Sequence, residues 1–194
     1  QQCHINYVSD YARSAERLLL AGQDVQAKVQ RGKETLATAR KLGGAFLDLE
    51  QYASLLLLVE ARDRVAHKQD PGPSLTALQE TLGKCLAINA QDAMCLTISA
   101  QAEWVKADWA AQQKQLTTPH LQAALTKAIA ATKSPETYPD AWQVLAESNL
   151  RLADSDGTKP AAQVRHLQDG LLATEKAFAI NPNHALGHAT RGQL

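Results

Sequence analysis

The chain has no surplus of charge of either sign: 20 Lys and Arg stand against 20 Asp and Glu. A dedicated nucleic-acid or anionic-membrane binder needs a basic excess to engage phosphates, so the electrostatic case for that class is missing. Aromatic residues make up only 5%, and β-branched apolar residues are equally scarce, with 8 Val and 5 Ile against 34 Ala and 27 Leu. Strands favour the residues that are missing, and helices favour the small and straight-chain ones that are abundant. The longest apolar run, Leu55 to Val59, is far too short to cross a bilayer. Three cysteines (Cys3, Cys85, Cys95) are too few for a disulfide framework. They read as small buried residues of a reducing compartment; the cytoplasm is the favoured location, and a parent protein could still be membrane-anchored.

What the sequence does contain is a period. Ser54, Ala100, Ala146 and Gly192 are spaced 46 residues apart, and so are Ala39, Cys85, Ala131 and Ala177. Ala15, Ala61, Ala107 and Ala153 keep the same spacing, as do Leu75, Leu121 and Leu167, and Pro73 and Pro119. All seven prolines fall between apolar-periodic stretches, where helices are expected to stop. Thr118-Pro119 reads as an N-cap and first helical residue, and Gly72-Pro73 repeats that design. Gly43-Gly44 and Asn181-Pro182-Asn183 read as stops, and Asp154–Lys159 as a longer connector.

These signals predict nine helices, near 4–21, 24–42, 45–69, 73–88, 92–116, 119–133, 139–154, 160–180 and from 184 onward. Paired as hairpins, they predict one all-α domain over 1–194, with repeats at 1–44, 45–90, 91–136 and 137–182 and a partial helix at 183–194. Apolar residues recur at three and four, as in Leu75, Leu78, Leu82 and Leu86, so each helix carries a one-sided stripe. A hairpin cannot bury such a stripe alone, and stacking on the next copy does so, giving a right-handed α-solenoid. The small series then mark where helices cross closely. Gln1 at the start and the unterminated look of 185–194 point to a piece of a longer polypeptide. An unpaired last helix would allow a monomer or a weak dimer.

The junction Ala177-Phe178-Ala179-Ile180-Asn181-Pro182-Asn183-His184-Ala185, followed by Arg191-Gly192, resembles the tetratricopeptide repeat. Pro139-Asp140-Ala141-Trp142 with Leu145-Ala146 is similar to the start of that repeat's first helix, and Leu86-Ala87-Ile88-Asn89-Ala90 resembles the junction without its proline. The likeness is fullest over 139–192 and thinnest over the first 45 residues. It departs from the family in repeat length, about 46 residues against the usual 34 or so. Lengthened repeats with connectors like Gln69-Asp70-Pro71-Gly72-Pro73 resemble those C-terminal to the kinase domain of large bacterial serine/threonine kinases. No Gly-rich loop, His-Arg-Asp or Asp-Phe-Gly motif is present.

The resemblance implies a non-catalytic protein-interaction module, a regulatory or scaffold segment that binds a peptide or protein on the concave face of its first helices. By register the partner-binding residues are Gln51 and Leu55, with Leu58 and Val59; Thr97, Gln101 and Trp104, with Val105; and Gln143, Glu147 and Arg151, with Leu150. Trp104 is either an aromatic anchor or core packing against its equivalents Leu58 and Leu150. Gln51, Gln101, Gln143 and Glu147 are the polar members expected on the exposed wall. The carboxylate clamp of chaperone-binding repeats wants Lys, Arg and Asn where this chain has Gln, Thr and Glu, so capture of an acidic C-terminus is not expected. A neutral groove suits an extended or helical peptide of mixed composition.

No catalytic set, metal or cofactor is called for. His184 and His188 lie at i, i+4, a metal-ligand spacing that lacks a third ligand, and read as solvent-facing. His120 and His166 occupy equivalent, exposed positions. Glu103, Asp108, Asp140, Glu147 and Asp154 place carboxylates along first helices, without the pocket that acid–base chemistry needs. A structural spacer or dimerisation element, or a ligand-sensing helical domain, would be the alternatives.

Overall fold

A computed structural model describes residues 2–43, 46–155 and 159–194. The chain is all-α, with nine helices and no strand among the described residues. They are α1 Gln2–Leu20, α2 Gln26–Lys41, α3 Leu47–Ala66, α4 Gly72–Ile88, α5 Ala93–Gln112, α6 Thr118–Thr132, α7 Pro139–Ala153, α8 Pro160–Ile180 and α9 Ala185–Arg191. The expected stop at Gly44, the helix start at residue 45 and the middle of the connector 154–159 lie outside the described residues. First helices α3, α5, α7 and α9 start at Leu47, Ala93, Pro139 and Ala185, each 46 residues after the one before.

The long first helices end three or four residues before the sequence pattern suggests, and one recurring turn explains this. Gly22, Lys68 and Lys114 have φ of +66°, +58° and +57° and stand 46 residues apart, just past the ends of α1, α3 and α5. The following glutamines, Gln23, Gln69 and Gln115, donate their N–H back to the carbonyls of Leu18, Arg64 and Ala110. A left-handed residue with this six-to-one bond is a Schellman stop, which satisfies carbonyls that the helix leaves open. Lysine in that conformation gives no glycine signal to read, so the pattern overruns. In the fourth repeat the equivalent position is Pro160, whose ring holds φ near −65°, and α7 ends earlier. Four starts also shift by one residue: α4 and α6 begin one earlier, at Gly72 and Thr118, neither with a side-chain cap, and α5 and α9 begin one later, at Ala93 and Ala185. The final helix α9 spans Ala185–Arg191, and the N–H groups of Gly192 and Leu194 bond back to the carbonyls of His188 and Thr190.

The helices form two compact units, residues 1–90 and 91–194, divided where the second and third repeats meet. In the first unit α1 pairs with α2, α3 packs on both, and α4 packs on α3. Ile5, Val8, Leu36, Ala39, Leu49 and Ala53 form a core cluster. Positions 53–59 of α3 are buried without interruption, so this helix is enclosed on all sides rather than striped. A Cβ at Gly32 would lie 2.7 Å from Leu56 Cδ2, so glycine allows α2 its close approach to α3. Cys85 is fully buried and disulfide-bonded.

In the second unit α5 pairs with α6 and α7 with α8, and α7 touches α5, α6, α8 and α9. Trp104, Leu121, Val144 and Leu152 pack with Ala100, Ala107, Ala124 and Ala128 in its core. Cys95, in this unit, is buried and disulfide-bonded, and of the three cysteines Cys3 is the free, exposed thiol. The reading of Cys85 and Cys95 as reduced thiols is therefore corrected. Counting cysteines cannot show which sulfurs the fold brings within bonding reach. In both units the small-residue series are enclosed: Ala39, Cys85, Ala131 and Ala177 are each 0% exposed. Gly192 alone departs, being exposed beyond the end of α9.

Candidate functional site

The first-helix residues assigned to an open groove are mostly enclosed. Leu55, Thr97, Trp104 and Gln143 are buried, and Gln51, Gln101, Glu147 and Arg151 are half-buried. Gln143 belongs to the expected exposed wall, but its Nε2 donates to Thr190 Oγ1 at 3.2 Å, tying α7 to α9. Thr190 Oγ1 in turn donates to Glu147. Trp104 is 6% exposed, and its Nε1 donates to Ser148 Oγ. Of its two readings, core packing is the one its surroundings match. Arg151 stacks its guanidinium 4.9 Å from the Trp104 ring centre and pairs with both Asp108 and Glu147. The only cation of the expected groove is thus already neutralised. A first helix with neighbours on either side has few free faces, which the repeat register alone does not reveal.

Of the two histidines expected to face solvent, His188 is exposed and His184 is not. His184 is buried, its Nδ1 accepts the Gly187 N–H, and its Nε2 meets Asp140 Oδ1 at 2.6 Å. It is the N-cap of α9, standing two repeats after Asp92, the N-cap of α5. His188 stacks on Phe178 and directs Nε2 to the Pro182 carbonyl. Both rings are engaged in structural bonds.

His120 and His166 keep their equivalence and show its purpose. His120 Nδ1 lies 3.3 Å from Glu103, and His166 Nδ1 lies 3.0 Å from Asn149, so position 103 and its equivalent 149 each meet a second-helix histidine. Burial works against ionisation of Glu103, but hydrogen bonds and charge from Lys127 and Lys106 outweigh it and hold the carboxyl below its ordinary range. One repeat later Asn149 replaces the carboxylate and Ala173 replaces Lys127. That site has lost its ions and lies at the edge of an apolar opening.

This opening is a cleft of about 550 Å³ in the second unit, on the side of the second helices. Leu125 and Ile129 of α6 form one wall, and Trp142, Leu145 and Asn149 of α7 form the floor. Leu172, Arg165 and Lys176 belong to the opposite wall, on α8. α6 and α8 each pack on α7 and not on each other, which leaves the gap between them. Ile129 is 38% exposed and Leu172 59%. Asn149 donates Nδ2 to the Leu145 carbonyl, so its Oδ1 faces the ring of His166 and requires the Nδ1–H tautomer there. Trp142 is legible in the chain as a repeat position, whereas the cleft is not. One signal was available: Val164 and Leu172 fall outside the buried stripe of Gly170, Ala173 and Ala177 on α8. The first unit has a more polar hollow of about 470 Å³ beside Glu60 and Asp63. Those carboxylates are paired with Lys33 and His67.

No family model matches this chain, no curated protein matches it in sequence and no solved structure matches it in fold. Among the described residues no helix is long and apolar enough to cross a membrane.

Proposed function

We propose that the chain is a tetratricopeptide-like, non-catalytic interaction module that holds a segment of a partner protein in the cleft between α6 and α8. The observation that carries this reading is the cleft itself, with exposed apolar walls at Ile129 and Leu172 over the Trp142 floor. Exposed apolar surface that converges on a concave site is a common mark of protein contact. The partner surface thus moves from the first helices, whose register positions are largely enclosed, to the second helices. The resemblance of the lengthened connectors to those of kinase repeat regions supports a regulatory or scaffold segment of a larger signalling protein.

The test is selection of peptides from a random display library on the wild-type chain, with counter-selection on Leu172→Glu. The expected result is a set of sequences that bind the wild type saturably and the variant at least about tenfold more weakly, as loss of a central contact predicts. Failure to enrich any cleft-dependent sequence sinks the reading.

A further inference from the structure

The chemistry of the cleft walls goes further than a generic partner. Resting on the reading just given, we propose that the occupant is an amphipathic α-helix of a partner protein whose apolar face is flanked by acidic residues. The apolar part of this inference follows from spacing. Leu125 and Ile129 are four apart on α6, Trp142 and Leu145 three apart on α7, and both pairs present ridges of helical period to the opening. Such ridges accept a facing helix with apolar residues at i, i+4 and i+7. The described residues contain no strand whose edge an extended peptide could extend.

The acidic part follows from charge. Arg165 and Lys176 line the α8 wall on either side of Leu172, eleven positions apart, which is about 16 Å along a helix. Lys176 has no ion-pair partner among the described residues. Arg165 has only a 3.8 Å contact with Asp169, and both of these side chains are well exposed. Asp169 lines the same wall, so Arg165 and Lys176 stand against one carboxylate and leave the wall with a net positive charge, which complements carboxylates flanking an apolar face. A basic helix would meet the unpaired Lys176 and a wall of net positive charge. Asn149 and Ala173 also leave this repeat without the Glu103–Lys127 pair that fills the equivalent position before it.

The experiment uses three stapled peptides of about 16 residues, long enough to hold a helix. All carry Leu at i, i+4, i+7 and i+11, and only the flanks differ: Glu, Gln or Lys. Fluorescence anisotropy is read against the wild-type chain, Leu172→Glu, Ile129→Gln and the double variant Arg165→Glu with Lys176→Glu, with circular dichroism confirming that each stays folded. The Glu peptide is expected to bind roughly 3–10-fold tighter than the Gln peptide, and the Lys peptide more weakly than either. The preference is expected to fade at high salt and to reverse in the double variant. Leu172→Glu and Ile129→Gln are each expected to weaken all three peptides.

If the Gln peptide binds in a cleft-dependent way but Glu gives no gain, or the double variant keeps the same order, the acidic-helix inference is overturned and the interaction reading stands. If no peptide binds saturably, or binding ignores both wall variants, the two fall together.

Discussion

Trp104 Nε1 donates to Ser148 Oγ at 3.2 Å, a buried bond from the middle of α5 to α7. Ser148 Oγ–H donates in turn to the Val144 carbonyl, so the indole and hydroxyl form a short chain inside the second unit. An indole bound in this way is a packing element with a satisfied polar tip. Trp104→Ala is expected to cost about 3–5 kcal/mol of unfolding free energy through lost burial and the cavity left behind. Trp104→Phe, which removes the Nε1–H bond and part of the buried ring volume, is expected to cost less, about 2–3 kcal/mol. Urea denaturation measures both, and near-neutral values would return Trp104 to the candidates for surface recognition.

The left-handed turns give a prediction with opposite signs at equivalent positions. Lys68 and Lys114 hold a backbone conformation that disfavours a Cβ. Lys68→Gly and Lys114→Gly are each expected to raise stability by about 0.5–1 kcal/mol. Gly22→Ala meets no atom within 4 Å, so its loss of about 1 kcal/mol would be backbone strain alone. Thermal melts of the three variants check this, and a loss at both lysine positions would contradict the assignment.

Glu103 ties stability to acidity. Its folded pKa is depressed, since Lys127 and Lys106 outweigh the effect of burial. The sign follows: the unfolded chain takes up this proton first, so the contribution is present above the ordinary carboxylate value and is lost as pH falls through the folded one. Glu103→Gln is expected to lower stability by about 2 kcal/mol at neutral pH, and the wild-type and variant curves should converge as pH drops below 4.5. Parallel curves down to the acid limit would remove Glu103 as the source.

The cysteines make a countable prediction. With Cys85 and Cys95 disulfide-bonded and Cys3 free, thiol titration of the unreduced, denatured chain should find one thiol, and Cys3→Ser should abolish it. Three thiols in protein purified under oxidising conditions would contradict the bonded state.

His184 caps α9 through Nδ1. His184→Asn can still accept from Gly187 N–H, and is expected to cost less than His184→Ala, which should lose about 1 kcal/mol. Amide exchange at the start of α9 separates the two, and equal protection in both variants would argue against a capping role.

The helix count, the 46-residue register and the small enclosed positions were legible in the chain. They follow from local rules: prolines and capped junctions interrupt helices, and Ala39, Cys85, Ala131 and Ala177 recur where a larger side chain would hold neighbouring helices apart. The left-handed Lys68 and Lys114 were not legible, because lysine carries no signature of that conformation. Nor was the burial of Gln143, since its partner Thr190 lies 47 residues away on another helix. Sequence by itself determined an all-α chain of repeating hairpins, because periodicity and helix propensity act over a few residues. Only the tertiary structure decided which faces remain open. Exposure depends on which helices pass on either side, and here α7 is covered by its neighbours, whereas α6 and α8 stand apart and leave Trp142 at the floor of a cleft.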